Sequence, residues 1–263
     1  MVSLEEREHA EIYRSAVEAS QTTQQLLMSP ENLARYRAPA ETTVFPLEYA
    51  FHVLGDVSGK TILEYGCGDG LNTVVLANCG AKIIAFDISA DLLAVAKKRL
   101  EVNGCEGVEL LVGSAHTLPL PDESVDIIFG MAILHHLDLE LAAPEVQRVL
   151  KKGGRGIFEE PIRNSKLLGR LRRFFPQHAD VSPFERPLTN QEISDFAAPC
   201  SFRAKTFQLP LSSIANVMPV WNRQAVNACA HIDTYLLRRF PVLGHYATLK
   251  VFEIVKNDNA QAL

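Results

Sequence analysis

"ILEYGCGDG", residues 62–70, is an apolar run that takes in one acid and ends in three glycines at every second position. Glycine costs chain entropy, so three in five residues mark a backbone that bends sharply or lets a ligand come close. The residues before the turn read as a strand, and "LNTVVLANCG" after it has helical spacing. Strand, glycine turn and helix place bare backbone amides at the carboxyl end of a sheet, where a ligand can meet them. The pattern repeats outward from about residue 50 to 160. "KIIAFD", "VELLVG", "VDIIFGMA" and "RGIFEEP" read as strands, and "ADLLAVAKKRLEVNG" and "LELAAPEVQRVLKKGG" as helices with glycine stops. Such alternation implies an α/β fold, with doubly wound parallel strands, right-handed crossovers and helices on both faces.

The flanks follow different patterns. Residues 1–45 show helical spacing at Leu4, Ile12, Tyr13 and Val17, punctuated by Pro30, Pro39 and then Pro46, and are expected to form a helical N-terminal cap. Residues 46–263 are expected to form the core, with 161–188 and 209–247 as lid or substrate segments. Within them "TNQEISDFAAP" reads as a helix that Thr189 caps, with Glu192 three residues on. "FRAKTFQLP" and "TLKVFEIVKN" read as strands, the last suited to antiparallel pairing, and "WNRQAVNACAHIDTYLLRRF" as a long helix. The cluster Lys166, Arg170, Arg172 and Arg173 reads as a solvated helix face, or as a lid that attracts an anionic substrate. The aromatic residues Tyr13, Tyr36, Phe45, Phe184, Trp221 and Tyr235 could line an acceptor pocket or form core.

The composition suits a soluble globular chain: 263 residues, 47% hydrophobic and 22% charged. A formal net charge of −5 gives no sign of nucleic-acid binding. The five cysteines are scattered without a C-x-x-C pair, so reduced thiols and no metal site are expected, in a cytoplasmic setting. The charged start "MVSLEEREHAEIYR" does not read as a secretory signal, and the apolar run 127–134 is too short to span a bilayer, so no membrane insertion is expected.

A nicotinamide fingerprint would need G-x-G-x-x-G, but Leu71 stands at its third position and the last glycine comes one residue early, at Gly70. Asp87 ends the next strand, where a carboxylate can accept from both hydroxyls of a ribose. It could instead cap the following helix, a task that suits Ser89 better. Cys67 reads as a small residue filling a tight turn.

The spacing E-x-G-x-G-x-G over 64–70 resembles the first motif of the class I S-adenosylmethionine-dependent methyltransferases. "IAFDIS" (84–89) resembles their second motif. "GSAHTLPLPDESVDIIFGMAILHHL" (113–137) and "LKKGGRGIFEEP" (150–161) are similar to later segments of the small-molecule branch, the type 11 or ubiquinone/menaquinone-biosynthesis-like group. The resemblance covers about residues 60–161. It implies a Rossmann-like, mostly parallel seven-stranded sheet with an antiparallel last strand.

It also implies cofactor contacts for S-adenosylmethionine. Glu64 and the backbone from Gly66 through Cys67 and Gly68 to Gly70 would hold the amino-acid end, with its carboxylate at the amides around Asn72 and Thr73. Asp87 would take the ribose and Ile88 would pack on the adenine. Ser114 and Ala115 would border the adenine edge, and Met131 would lie under the sulfonium. Many relatives carry aspartate where Ser114 stands.

The expected activity is methyl transfer to oxygen or nitrogen of a small, hydrophobic metabolite. The absence of an N/D-P-P-Y/W signature at "FGMAILHH" disfavours nucleic-acid bases and protein glutamines as acceptors. His135, His136, Glu159 and Glu160 follow the fourth and fifth strands and are the candidates for a general base, with one glutamate on each face of the sheet. The alternatives are a non-catalytic protein of the same fold that binds this cofactor or a related nucleoside, and a nicotinamide-dependent oxidoreductase.

Overall fold

The computed structural model describes residues 3–22, 26–165, 186–217 and 223–257. Within them, three helices precede the sheet: α1 (Leu4–Gln21), α2 (Pro30–Arg37) and α3 (Pro46–Leu54). The central unit runs β1 (Thr61–Tyr65), α4 (Leu71–Ala77), β2 (Lys82–Asp87), α5 (Ala90–Val102), β3 (Glu109–Val112), β4 (Val125–Met131), α6 (Leu139–Val149) and β5 (Leu150–Pro161). The chain continues with α7 (Asn190–Ala197), β6 (Ser201–Phe207), α8 (Pro210–Val217), α9 (Arg223–Arg239) and β7 (Leu249–Val255).

Among the described residues the seven strands form one sheet in the order β3-β2-β1-β4-β5-β7-β6. The first five strands are parallel, and β7 pairs antiparallel with both β5 and β6. The expected doubly wound sheet with an antiparallel last strand is thus the observed one. Strand order reverses between β1 and β4, which opens a crevice at their carboxyl ends.

The strands alternate between two cores. Leu63, Tyr65, Phe86, Ile128, Phe158 and Phe252 face one layer, which includes α6 and α7. Ile62, Ile83, Ile127, Phe129, Ile157 and Val251 face the other, with Phe51 and Leu54 of α3 and Val75 and Leu76 of α4. Local chemistry sets the element starts. Ser89 accepts from Leu92 N to cap α5, and Thr189 with Glu192 forms the expected reciprocal cap of α7.

Two details differ from the pattern reading. The helix expected to run through "LKKGG" stops at Val149, because Leu150 already pairs with Val125 of β4 and starts the strand. In α1 the apolar Ile12 and Tyr13 face solvent, at 40% and 75% exposure, whereas Glu11 and Ser15 are buried. This helix turns a polar face inward because the surface it covers is polar. Lys166, Arg170, Arg172, Arg173, Phe184 and Trp221 lie outside the described residues, as does most of the expected lid 161–188. Among the described residues no helix is long and apolar enough to cross a membrane.

Candidate active site

The three glycines of the turn all take positive φ, at 78°, 53° and 82° for Gly66, Gly68 and Gly70. Their surroundings differ. A Cβ on Gly66 would fall 2.7 Å from Ile133 Cδ1, and one on Gly70 2.7 Å from Ala96 Cβ and 2.9 Å from its Cα. Those two glycines let the turn press against the loop after β4 and against α5. A Cβ on Gly68 would meet nothing within 4 Å. Gly68 is the member of the set with open space beside it among the described residues.

The turn is held from behind. Gly66 and Cys67 amides both donate to Phe86 O at 2.9 Å, and Gly68 N donates to Asp87 Oδ2 at 2.8 Å. Arg99 of α5, wholly buried, donates to Asp69 O at 2.9 Å and to Asp69 Oδ2 at 2.5 Å. Cys67 is buried beside Ala85 and Leu93, and burial pushes its thiol well up from the usual range, as suits a packing residue.

Two acids flank the opening. Glu64 on β1 is buried and accepts from Thr73 Oγ1 of α4 at 2.6 Å. Burial raises its carboxyl to about 8 despite that bond, with Asp87 and Asp69 adding to the rise. Among the described residues no cation pairs with it, so the pocket suits a positive group from outside the chain. Asp87 accepts from Ser89 N through Oδ1 at 2.9 Å and from Gly68 N through Oδ2. The Ile88 amide also supports the carboxylate, which leaves a lone pair for a hydroxyl. Burial also raises Asp87, against the pull of those amides and of Arg14. In α4 the amides of Asn72 and Thr73 precede Val74, whose amide donates to Gly70 O. Ile88 is half-buried next to Asp87, and Met131 is half-buried at the end of β4.

Ser114 and Ala115 follow β3. Ala115 is buried, and its carbonyl accepts from Tyr65 Oη at 2.7 Å. Ser114 Oγ donates to Glu8 of α1, and its other contacts are with His116. Glu8 Oε1 also lies 3.0 Å from His116 Nδ1, and His116 Nε2 accepts from Asp138 N at 3.0 Å. That second bond makes Nδ1 the protonated ring nitrogen, so it donates to Glu8. A turn further on, Glu11 Oε2 stands 3.3 Å from His136 Nδ1. Helix α1 therefore reaches across the loops after β3 and β4, with Arg14 near Asp87 after β2. Motif reading missed Glu8, Glu11 and Arg14; the available signal was the set of polar residues 8, 11 and 15 on one helical face.

The candidate bases separate clearly. Glu160 is wholly buried; its Oε1 accepts from Ile133 N at 2.9 Å and Leu134 N at 2.6 Å. Its Oε2 lies 2.8 Å from His135 Nδ1 and 3.4 Å from His135 N. The carboxylate is committed to shaping the short turn Leu134–His136. The His135 and His136 rings lie 4.1 Å apart, the first toward Glu160 and the second toward α1. Glu159 lies on the opposite face. Its Oε2 is buried with no hydrogen-bond partner among the described residues, and burial, helped by Glu160, raises its carboxyl to about 7.

Of the other aromatics, Tyr13 and Tyr235 are exposed, and Tyr36 packs on Phe51 at 5.2 Å between ring centroids. Phe45 and Tyr235 line an open cavity of about 460 Å³ between the 40–48 segment and α9, together with Glu48, His231 and Arg238.

Comparison with known proteins places the chain in a family. The family model described as "Methyltransferase domain" matches residues 63–158. An uncharacterized methyltransferase-like protein of Schizosaccharomyces pombe is 30% identical over 207 residues, covering 64% of this chain and 78% of that protein. A demethylmenaquinone methyltransferase of Lactococcus lactis is 34% identical over 106 residues, covering 39% of this chain and 42% of that enzyme. The chain thus spans less than half the length of some curated relatives it matches, 47% and 42% for two of them. Among solved structures, geranyl diphosphate C-methyltransferase of Streptomyces coelicolor shares the fold with a TM-score of 0.57 at 15% identity, over 79% of each chain. On the family model, the fold and the relative that it covers over most of its length, the chain belongs to the S-adenosylmethionine-dependent methyltransferases.

Proposed function

We propose that this protein transfers a methyl group from S-adenosylmethionine to oxygen or nitrogen of a small, hydrophobic metabolite. The observation that carries the reading is the turn at Gly68, with open space at its Cβ position and flanked by two buried acids, one of them without a cation among the described residues. When bound, the cofactor supplies a methyl group on a sulfonium, open to in-line displacement.

The chain's own residues divide the work. Glu64 holds the ammonium of the amino-acid end, a positive charge that would bring the buried carboxyl down from its raised value of about 8. The amides of Asn72 and Thr73 face the carboxylate at the same end. Asp87 takes the ribose hydroxyls, Ile88 packs on the adenine, and Ser114 and Ala115 bound its edge. Met131 lines the floor toward the reacting centre. Helix α1, clamped through Glu8 and Glu11, roofs the crevice and keeps water out, which an in-line displacement needs. Glu160 is a positioning residue that sets the turn carrying His135 and His136.

Calorimetric titration with S-adenosylmethionine and S-adenosylhomocysteine tests the reading. Micromolar binding of both is expected. Asp87→Ala is expected to weaken S-adenosylhomocysteine by about 1–3 kcal/mol, the cost of leaving ribose hydroxyls unpaired. Binding of neither compound by the folded protein would sink the methyltransferase reading. Binding of both with no turnover across acceptor classes would favour a non-catalytic protein of the same fold.

A further inference from the structure

Glu159 ends β5 on the acceptor side of the point where strand order reverses. Its register partners are Met131 on β4 and Val251 on β7. Residues level on neighbouring strands share a face, so Glu159, Met131 and Val251 look toward the α3 layer, the face that also carries Glu64 on β1. Glu64 is level with Phe129, and Met131 is two residues further along. Two strand spacings and two residues of rise put Glu64 and Glu159 about 12 Å apart along the sheet. The arm of a methionine sulfonium, from ammonium to methyl, is five single bonds, about 6 Å when extended. The difference, together with the reach of the two glutamate side chains beyond the backbone, holds the contacts at Glu64, between methyl and acceptor, and between acceptor and Glu159, about 3 Å each. This step rests on the reading that Glu64 holds the amino-acid end.

A carboxylate in that place needs a partner. Glu160 has four contacts from the turn after β4, whereas Oε2 of Glu159 is buried with no hydrogen-bond partner among the described residues. Among the described residues, the charged and titratable groups around it are distant or engaged. Lys205 on β6, level with Val251 on the same face, sits over the Tyr49 ring at 4.0 Å and donates to Glu41 O at 3.0 Å. Tyr49 of α3 stacks on His52, Glu64 is bonded to Thr73, and Glu160 points to the other face.

We propose that Glu159 is the proton acceptor of the reaction, and that the acceptor is a molecule carrying a proton on its nucleophilic atom, a hydroxyl of a phenol or enol, or an amine. As the acceptor's lone pair forms its bond to the methyl carbon, the carbon–sulfur bond breaks and its electron pair stays on sulfur. The proton of the acceptor passes to Oε2 of Glu159. The sulfonium charge and the carboxylate charge are both neutralised, and S-adenosylhomocysteine and the methylated acceptor leave. A carboxyl raised to about 7 by burial and by Glu160 is matched to that task near neutral pH.

The test uses the full chain saturated with S-adenosylhomocysteine and labelled with carbon-13 in its glutamate carboxyls. The resonance missing from Glu159→Gln is expected to titrate near pH 7; titration in the ordinary carboxylate range overturns the proposal, whichever acceptors react. Methyl transfer is then followed to simple phenols and primary amines, and to tertiary amines and thioethers, which have no proton to give up. Glu159→Gln is expected to lower transfer to the first group by roughly 100-fold or more, with Glu159→Asp in between. The loss is expected to be at least tenfold smaller toward the second group, with binding of S-adenosylhomocysteine as the check that the variant is folded. An undiminished rate toward phenols and amines overturns the proposal. A wild-type chain that fails to bind S-adenosylhomocysteine instead marks the failure of the methyltransferase reading.

Discussion

At the scale of single residues, the glycine turn shows how one residue type serves separate ends. Gly70 faces the Ala96 backbone, which cannot retreat, so Gly70→Ala forces the turn away from α5 and is expected to cost roughly 1–3 kcal/mol of stability. Gly68 has open space where a Cβ would go, and its cost is only the left-handed conformation, about 1 kcal/mol. On the proposed reading, however, the cofactor lies against that space. Gly68→Ala is therefore expected to lose at least tenfold in S-adenosylhomocysteine affinity while unfolding at nearly the wild-type denaturant concentration. Gly70→Ala is expected to show the opposite balance. Equal affinity losses at equal stability would remove the distinction between a packing glycine and a ligand-facing one. Sequence spacing pointed to the whole set but could not rank its members, because which glycine faces a neighbour and which faces the crevice depends on Ile133 and Ala96, distant in the chain.

At the scale of elements, α1 is the piece that spacing described and misjudged. Its helical period was legible, but the reading followed its apolar residues, and Ile12 and Tyr13 turned out to face solvent. The helix packs by charge instead: Glu8 on Ser114 and His116, Glu11 toward His136. Such contacts join residues 106 and 108 positions apart, so nothing local announces them. The parallel strands were legible for the opposite reason, since burial on both faces forces continuous apolar runs such as "KIIAFD". If α1 is held by these polar contacts, Glu8→Ala removes a shared acceptor for a hydroxyl and a ring N–H. Faster amide hydrogen exchange is expected across 4–21, with α5 and β1–β4 unchanged, and saturation with S-adenosylhomocysteine is expected to recover part of the protection. Unchanged exchange in the helix would show that its packing on α5 alone keeps it in place.

At the scale of the whole molecule, a buried acid with no cation beside it among the described residues ties stability to pH and to the ligand. Glu64 titrates at about 8 in the folded chain and near 4.5 as an unperturbed glutamate. Between those values the folded state holds a proton that the unfolded state has released. Stability from this group is therefore full below the lower value and falls as pH rises toward 8, by at most about 1.4 kcal/mol per pH unit. Glu159 and Asp87, also raised, add slopes of the same sign, so the informative quantity is the difference from Glu64→Gln, which can keep the bond from Thr73. Denaturant unfolding from pH 5 to 8 is expected to give the wild type a steeper decline than this variant. An ammonium at Glu64 reverses the preference for the neutral acid. Saturating S-adenosylhomocysteine is thus expected to release a proton on binding, to bind more tightly as pH rises toward 8, and to flatten the wild-type decline toward that of the variant. At about 100 times its dissociation constant the ligand adds about 2.7 kcal/mol, for a melting shift of about 5–10 °C in a domain of this size. Equal pH slopes with and without ligand, alongside a normal melting shift, would move the ammonium away from Glu64 while leaving the cofactor in the crevice.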